Sequence, residues 1–373
     1  MHYHIILTEY CNSQCKYCYE KSMKEFDNGL DKKFKFDFSE KEKFDLDLLK
    51  DLRNFIQKDK NPVIIFYGGE PLLEIKTIEK IIDSFNNTKV KFRMQTNGKL
   101  LNETPIKYLK KIDKILVSLD GTKERTNYNR GKGTYELVMK NIEKIKEQGY
   151  KGEIIARMTI SQEFPDIYEQ VLSLIKSGFS SIHWQIDAGF YKFDFNKEKF
   201  KNFTKNYNNS IKKLIDFWIR EMKKGNVLKI YPFLGIIESI LKNQKTKLRC
   251  GAGYEGYAIT QSGKIIACPI MTCIKDFEAG SIKSSSPNTL KKFEIKGKCL
   301  NCSYLDLCGG RCLYWNYSNL WPDEGDEMIC ETIKFLIDNL KNKENEIKSL
   351  IKNKTIKLKD FNYEKYFGPE IIP

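Results

Sequence analysis

The sequence predicts an α/β fold: a partial (β/α)6 barrel of the TIM-like kind, followed by a small cysteine-rich domain. Two observations predict it. Six short apolar runs alternate with amphipathic stretches over the first half of the chain, and the eleven cysteines fall in two groups, at residues 11–18 and 250–330. Repeated strand–helix units indicate a parallel sheet. In such a barrel the active site lies at the carboxyl ends of the strands, and the first cysteine group follows the first strand.

The expected strands are apolar almost throughout, which is typical of strands buried on both faces of a parallel sheet. Helical spacing of apolar residues predicts the helices between them. The expected strands are Ile5–Thr8, Val63–Tyr67, Val90–Gln95, Lys114–Leu119, Glu153–Ile160 and Ser181–Asp187. The expected helices cover residues 44–56, 74–86, 104–111, 134–148 and 165–177.

Changes in composition divide the chain into four parts. Residues 1–187 form the barrel, and residues 188–249, rich in lysine and aromatic residues at helical spacing, form a helical bridge. Residues 250–335 are glycine-rich, with one expected hairpin, and carry too few apolar runs for a core of their own, so that bound metal would have to supply folding energy. Residues 336–373 contain the end of a lysine-rich helix, expected at 331–350, and a tail that packs or frays.

The composition narrows the classes of function. The formal net charge of +15 suits nucleic acid, an acidic peptide or an acidic redox protein, although a lysine-rich solvated surface explains it most simply. The sequence contains no run of eighteen apolar residues, so it predicts no membrane span. The start of the chain lacks the features of a signal peptide. We therefore expect a cytoplasmic protein, in which clustered cysteines indicate metal rather than disulfides.

Cys11, Cys15 and Cys18 stand within eight residues directly after the first strand. A four-iron cluster normally takes four cysteines, so a loop that offers three leaves one iron open to a small molecule. Two alternatives remain. A structural zinc site would need a fourth ligand, and no further cysteine or histidine lies close by in the sequence; the three residues could also be unrelated reduced thiols.

Polar and glycine-rich motifs follow the later strands. The second strand ends in Gly68-Gly69-Glu70-Pro71, where the glycines leave room for a ligand against the backbone and the carboxylate can accept hydrogen bonds from an ammonium group. The third and fourth strands are followed by Asn97-Gly98 and by Ser118-Leu-Asp120-Gly121, and Arg130-Gly131 precedes the next helix. Turn chemistry and helix capping explain each motif alone equally well.

Together, the Cys-x3-Cys-x2-Cys loop and this ordered series resemble the radical S-adenosylmethionine (SAM) superfamily. The resemblance implies that the Gly-Gly-Glu-Pro element holds the amino group of SAM and that Ser118 and Asp120 face its ribose. Arg157 is a candidate for the SAM carboxylate, or else half of a buried ion pair. The implied contacts with SAM are Tyr17, Gly68, Gly69, Glu70, Pro71, Asn97, Ser118, Asp120, Arg130 and Arg157. His183 and Trp184 either point to the barrel mouth or, as we expect, pack in the core.

The second cysteine group resembles, spacing for spacing, the seven-cysteine SPASM domain of peptide- and protein-modifying radical SAM enzymes. A Cys-x2-Cys pair alone would equally fit a zinc ribbon. The resemblance implies two auxiliary clusters, one held by Cys299, Cys302, Cys308 and Cys330 and the other by Cys250, Cys268 and Cys312. Cys273 is left over. It either completes the second set, or is a free thiol able to donate a hydrogen atom while that iron stays open to substrate.

The implied reaction is reductive cleavage of SAM to a 5′-deoxyadenosyl radical, which modifies a ribosomally synthesised peptide by a crosslink, a thioether or epimerisation. The implied cofactors are SAM and three iron–sulfur clusters of the 4Fe–4S type. The expected partners are the precursor peptide and a reductant such as ferredoxin or flavodoxin. Because the chain begins on its first strand, we expect the peptide to be recognised either by a separate leader-peptide-binding protein or directly by the basic bridge, residues 188–249. No catalytic acid or base can be assigned.

Two alternative functions are kept. An anaerobic sulfatase-maturating enzyme, which makes formylglycine, shares both domains, but that family has an aspartate directly after the cysteine that corresponds to Cys268, where this chain has Pro269. A non-catalytic iron–sulfur or zinc protein that binds nucleic acid would explain the positive charge. It would not explain the motifs at the strand ends.

Overall fold

A single sheet of ten strands organises the part of the chain that the computed structural model describes, residues 1–18 and 29–367. The strands are β1 (His2–Ile6), β2 (Val63–Tyr67), β3 (Lys91–Thr96), β4 (Ile112–Ser118), β5 (Glu153–Ile160), β6 (Ser181–Ile186), β7 (Lys229–Ile230), β8 (Gly256–Ile259), β9 (Lys264–Ile266) and β10 (Glu278–Ser281). Strands β1 to β7 are parallel neighbours in chain order. The predicted α/β fold with a parallel sheet is confirmed.

Helices connect and cover these strands. They are α1 (Leu49–Ile56), α2 (Ile75–Ser84), α3 (Ile106–Leu109), α4 (Lys123–Arg130), α5 (Thr134–Glu147), α6 (Ile167–Lys176), α7 (Lys197–Lys223), α8 (Tyr231–Leu241), α9 (Leu305–Cys308), α10 (Leu313–Ser318), α11 (Asp323–Lys341) and α12 (Glu344–Lys352). The lysine-rich helix expected at 331–350 is two helices, α11 and α12. In the described ranges, no helix is long and apolar enough to cross a membrane.

The sheet extends beyond the six strands that the sequence predicts. Strand β7 adds a seventh parallel strand beside β6, through Lys229 and Ile230. On the other side, β8 pairs in parallel with β1, so the expected hairpin of β8 and β9 continues the barrel sheet rather than standing apart from it. The hydrogen bonds of the sheet thus cross the predicted boundary at residue 250, and the division into four parts stays a prediction.

The inner face of the barrel is layered, because side chains alternate along each strand. At the amino end, Arg93 and Lys114 form ion pairs with Glu364 from the C-terminal segment (2.9 and 3.1 Å). Above them lies an apolar layer that includes Ile65, Ile155 and the fully buried Phe367. For the C-terminal tail, the sequence allowed either packing or fraying. The structure shows that it packs as far as Phe367. It closes the amino end of the barrel.

Candidate cofactor and metal sites

The loop that carries Cys11, Cys15 and Cys18 lies at the carboxyl end of β1 and is held by the turn after β2. Gly69 N donates to Thr8 O (2.8 Å), and the next amide donates to Tyr10 O (2.9 Å). A Cβ atom on Gly68 would lie 2.3 Å from Thr8 O, and one on Gly69 would lie 2.4 Å from the Tyr10 carbonyl oxygen. The glycines therefore make room for the backbone of the cysteine loop, not only for a ligand as the sequence suggested.

Glu70 joins the ends of β2 and β3. Its carboxylate is fully buried and accepts hydrogen bonds from Leu72 N (3.0 Å), the Thr96 hydroxyl (2.6 Å) and Asn97 N (2.7 Å). Burial raises the pKa of Glu70, and these three bonds oppose that rise. Protein donors thus take three of the roughly four acceptor positions of a carboxylate. A contact between Glu70 and the amino group of SAM stays a prediction.

Asn97 links this corner to the cysteine loop. Its side-chain nitrogen lies 2.6 Å from Asn12 Oδ1, 3.3 Å from Ser13 Oγ and 3.9 Å from Cys11 Sγ. Burial raises the pKa of Cys11, and a hydrogen bond from the Ser13 backbone to its sulfur lowers it. The end of β3 therefore positions the first cysteine of the loop.

Asp120, after β4, is the centre of a second group of polar contacts. It accepts from Arg130 Nε (3.0 Å) and Nη2 (2.9 Å), from Thr159 N (3.0 Å) and from the Tyr17 hydroxyl. Asn129 Nδ2 lies 3.4 Å from Oδ2. Protein donors contact both oxygens, so Asp120 positions Tyr17 and Arg130. Contacts of Asp120, and of Ser118, which ends β4 and is half-buried, with the ribose of SAM stay predictions.

Helix α4, which the sequence analysis missed, brings Arg130 to the loop. Arg130 Nη1 lies 3.9 Å from Cys15 Sγ, and Asn129 O accepts from Lys16 N (3.0 Å). Burial lowers the pKa of Arg130, but the Asp120 carboxylate raises it further, so the guanidinium stays charged. The buried side of this helix is polar and includes Arg125 and Thr126. Apolar periodicity, the signal used for the other helices, is therefore missing from it.

A cavity of about 110 Å³ lies above the apolar layer of the barrel. Inward-facing residues of five strands line it: His4, Tyr67, Gln95, Arg157 and Gln185. Across from them it is lined by Cys250, Cys268 and Cys312, one of the two predicted auxiliary sets. We call this the three-cysteine cavity. Burial raises the pKa of Cys268 to about 12, and the charge of Arg157 opposes that rise.

Arg157 lies in the three-cysteine cavity, where its Nη2 donates to Gln185 Oε1 (3.2 Å). A role for Arg157 with the SAM carboxylate stays a prediction, because Arg130 is the arginine that the structure brings to the Cys11–Cys18 loop. His183 and Trp184 are both fully buried, and Trp184 Nε1 donates to the Tyr207 hydroxyl (2.8 Å). As expected, these two residues belong to the core.

A second cavity, of about 40 Å³, is lined by Cys299, Cys302, Cys308 and Cys330, the other predicted set. We call it the four-cysteine cavity. Burial raises the pKa of Cys308 to about 11, while backbone N–H groups of Gly310 and Arg311 donate to its sulfur and lower it. Asn316 Nδ2 lies 3.6 Å from Cys299 Sγ. Hydrogen bonds to sulfur of this kind are among the features that set the properties of iron–sulfur clusters.

Cys273 does not line either of these cavities in the described part of the chain. Its carbonyl oxygen accepts from Asp37 N (2.8 Å), and burial raises the pKa of its thiol to about 11. The idea that Cys273 completes the second auxiliary set therefore stays a prediction.

The side chains that line the two cavities and the loop include the ligand type of iron–sulfur clusters. Cysteine sulfurs hold such clusters, and four cysteines line one cavity and three line the other. Within residues 1–18 and 29–367, no three or more His, Cys, Asp or Glu side chains are grouped as around one metal ion.

The fold and these sites define a class of protein: a partial α/β barrel with a thiolate loop at the carboxyl end of its first strand and a cysteine-rich extension on the same sheet. The comparison with known families agrees with this class. Residues 5–175 match the family described as the radical SAM superfamily. The chain therefore contains a radical SAM domain.

The curated relatives extend over most of the chain. The radical SAM cyclopropyl synthase TigE of Paramaledivibacter caminithermalis is 25% identical over 92% of this chain and 74% of its own length. A cysteine-type anaerobic sulfatase-maturating enzyme of Clostridium novyi is 24% identical over 87% of this chain and 90% of its own length. One of Clostridium perfringens is 26% identical over 81% and 85% of the two chains.

Solved structures share the fold. The structure of anSMEcpe with bound AdoMet and the Kp18Cys peptide superposes with a TM-score of 0.71 at 20% identity, over 92% of this chain and 99% of that one. Streptococcus suis SuiB bound to its precursor peptide SuiA superposes with a TM-score of 0.53 at 17% identity, over 84% and 72% of the two chains.

Proposed function

We propose that this chain is a radical SAM enzyme that modifies a ribosomally synthesised peptide. The observation that carries the proposal is the three-cysteine cavity, where polar side chains on the inner face of the barrel stand opposite Cys250, Cys268 and Cys312. A peptide side chain that entered from the carboxyl end of the barrel would lie between the Cys11–Cys18 loop and these cysteines.

The residues of the barrel suit a buried polar reaction site. Below the cavity, the apolar layer with Phe367 closes the amino end and excludes water from that side. Within the cavity, the Arg157–Gln185 pair and Gln95 offer hydrogen-bond donors that can orient a peptide carbonyl or carboxylate. Burial lowers the pKa of His4 to about 3, so this imidazole is neutral at pH 7 and would act as a hydrogen-bonding group rather than as a cation.

Three cofactor sites go with this proposal. Cys11, Cys15 and Cys18 would hold the 4Fe–4S cluster that binds SAM. One auxiliary 4Fe–4S cluster would be held by Cys250, Cys268 and Cys312 at the side of the three-cysteine cavity opposite the polar strand residues, and the other by the cysteines of the four-cysteine cavity. When bound, the first cluster and SAM supply a carbon radical able to remove a hydrogen atom from the substrate. The role of the chain is to bind and orient the substrate carbon and to keep water away. A reductant such as ferredoxin or flavodoxin and a separate leader-peptide-binding protein remain the proposed partners.

A peptide substrate is supported by the relatives. The solved structures of anSMEcpe and SuiB hold bound peptides, and the SuiB ligand is its precursor peptide SuiA. TigE, named as a cyclopropyl synthase, matches over 92% of this chain. The bond that this chain makes or breaks is left open among crosslinking, thioether formation and epimerisation.

Sulfatase maturation is the second candidate, and the named relatives of Clostridium novyi and Clostridium perfringens favour it. The residue after Cys268 argues against it. Pro269 lines the three-cysteine cavity at the position where the resemblance implies an aspartate, and a proline side chain cannot accept a proton. Formylglycine production by this chain would therefore need a proton acceptor from another position.

The test uses protein purified and reconstituted with iron and sulfide without oxygen. Given dithionite and SAM, the unsubstituted chain should release 5′-deoxyadenosine, and Cys15→Ala should release none. The matched control is Cys273→Ala, which should keep this activity. Absence of 5′-deoxyadenosine from iron-loaded, unsubstituted protein would contradict the proposal.

Two peptides then separate the candidates. One carries the cysteine-containing sulfatase motif, and the other is the product of a small open reading frame beside the gene. Mass change in the second peptide alone supports peptide maturation. Conversion of the first peptide to formylglycine would replace our proposal with sulfatase maturation.

A further inference from the structure

Arg311 lies between the two cysteine-lined cavities. Of the described residues that line them, it is the one that lines both. It precedes Cys312 of the three-cysteine cavity, and its backbone N–H donates to Cys308 of the four-cysteine cavity. The residue is only 4% exposed. Its side chain therefore places a fixed positive charge in the wall that the two cavities share.

The described protein groups around Arg311 accept hydrogen bonds from only part of its guanidinium. Nη2 donates to Ala188 O (3.2 Å), and the rings of Phe190 and Trp315 lie 5.5 and 5.4 Å from the guanidinium carbon. Nε and Nη1 are buried and have no hydrogen-bond partner among the described residues. An arginine cannot lose its charge in a protein, and a buried charge with unfilled donors destabilises the fold. We therefore expect an anionic group to lie close to the Arg311 guanidinium.

The charged groups around Arg311 point to the cavities. The groups that would act on it as anions when ionised are Cys312 of the three-cysteine cavity, Cys330 and Cys308 of the four-cysteine cavity, and Asp326. Asp326 already accepts from Trp315 Nε1 (2.8 Å) and lies 3.8 Å from the Lys298 ammonium. The remaining three groups are cysteines of the two proposed cluster sites. The anions that Arg311 can balance are therefore thiolates and whatever they bind.

The backbone at Arg311 is in an unfavourable conformation for its residue type. Gly309, Gly310 and Arg311 have φ values of +74°, +87° and +57°. Glycine adopts such values freely, but a non-glycine residue is uncommon there because its side chain makes this conformation unfavourable. A third glycine would relieve this cost. The arginine side chain must therefore supply something that offsets it.

We propose that Arg311 is a positioning residue shared by both auxiliary clusters, and that its charge and its Nε and Nη1 donors raise the reduction potentials of both. The inference rests on the proposed function, since it requires clusters in the two cavities. Reduction by one electron makes a cluster more negative by one charge, and a buried cation nearby stabilises the reduced form. Hydrogen bonds to the sulfur atoms act in the same direction.

The test measures midpoint potentials by electron paramagnetic resonance during a reductive titration with dithionite. The full-length chain with Cys11, Cys15 and Cys18 all changed to Ala is used, so that only the auxiliary clusters contribute. In this background, Arg311→Gln should make reduction of both clusters at least tenfold less favourable, which is about 59 mV for one electron. Arg311→Lys, which keeps the charge, should show no more than half of this shift in potential.

Lys298→Gln is the matched control. It removes one positive charge from the same region, near Cys299 and Cys330, but the Lys298 side chain is 46% exposed. Solvent screens its charge. The equilibrium constant for reduction of each cluster should therefore stay within twofold of the parent value.

Each outcome decides the inference. Arg311→Gln with both clusters present and both potentials unchanged would overturn it. Loss of iron from Arg311→Gln but not from Arg311→Lys would support it, because the charge would then be needed to hold the clusters at all. Loss from both variants would overturn it in favour of a purely steric role. A parent protein without auxiliary clusters would overturn the proposed function itself, a failure that iron analysis distinguishes from unchanged potentials.

Discussion

Asp120 and Arg130 form a buried, two-point ion pair, with Nε and Nη2 of the arginine 3.0 and 2.9 Å from the two carboxylate oxygens. Through this pair the end of β4 holds the end of α4 against the cysteine loop, because Arg130 Nη1 also lies 3.9 Å from Cys15 Sγ. Tyr17, inside the loop, donates to the same carboxylate. One buried anion therefore fixes three elements at the mouth of the barrel.

Replacing Asp120 should be costly. Asp120→Asn leaves the buried Arg130 without its counter-ion, and breaking a buried pair in this way costs about 3–5 kcal/mol. We expect a loss of this size in the free energy of unfolding by urea, together with weaker SAM binding.

Asp113→Asn is the control for Asp120→Asn. Asp113 pairs with Arg93 at 2.6 Å, but its side chain is 56% exposed and Arg93 keeps Glu364 as a partner. This change should cost less than about 1 kcal/mol. Equal stability of the two variants would contradict the role given to Asp120.

Gly69→Ala should remove the first cluster selectively. The added Cβ would lie 2.4 Å from the carbonyl oxygens of Glu9 and Tyr10, so the cysteine loop must move. We expect the iron content to fall by the share of one cluster and SAM-dependent activity to disappear, with both auxiliary clusters kept. Gly133→Asn is the control, because open space surrounds Gly133 and asparagine tolerates its left-handed backbone. Full iron content in Gly69→Ala would disprove the steric argument.

Cys273→Ser tests which cysteines hold the second auxiliary cluster. Cys250, Cys268 and Cys312 line the cavity and Cys273 does not. On the alternative in which Cys273 is not a ligand, which this placement favours, Cys273→Ser should keep the iron content of the parent protein. Cys268→Ser is the control and should lose one cluster. If Cys273→Ser also lost one cluster, Cys273 would be its fourth ligand.

Glu364 should make the stability of the fold depend on pH. Burial raises its pKa, but His2, Arg93 and Lys114 lower it further, and the net change is a decrease. A lowered pKa contributes stability that is fully present above the ordinary glutamate pKa of about 4.3 and is lost as the pH falls below it. Between pH 6 and pH 3.5, the urea midpoint should fall more in the parent protein than in Glu364→Gln. Parallel curves would contradict this.

Local sequence patterns predicted the elements of the barrel well where the buried side chains are apolar. The strands Val63–Tyr67 and Glu153–Ile160 have the predicted bounds. Helix α4 was missed because its buried side is polar, and β7 because two residues carry no periodic signal. The pairing of β8 with β1 joins residues more than 250 positions apart. No local pattern encodes such a pairing.

For a related reason, the sequence predicted the cysteines of the site better than the roles of its carboxylates. The resemblance to the SPASM domain implies the two auxiliary sets, because it assigns each cysteine of the pattern to one of them, and the two cavities are lined by the same sets. The roles of Glu70 and Asp120 could not be predicted in the same way. A carboxylate at a strand end looks the same in sequence whether it meets a ligand or, as here, several protein donors.

The C-terminal segment closes a barrel that is built mainly from the other end of the chain. Phe367 and Glu364 seal the base of a barrel whose strands β1 to β7 lie in the first 230 residues, and the cysteine-rich region lies between them in the chain. A fragment that stopped at residue 249 would be a tube open at both ends, and we expect it to aggregate. We therefore expect the strands of the barrel and the segment that closes it to fold only as parts of one polypeptide, which also contains the cysteine-rich region between them.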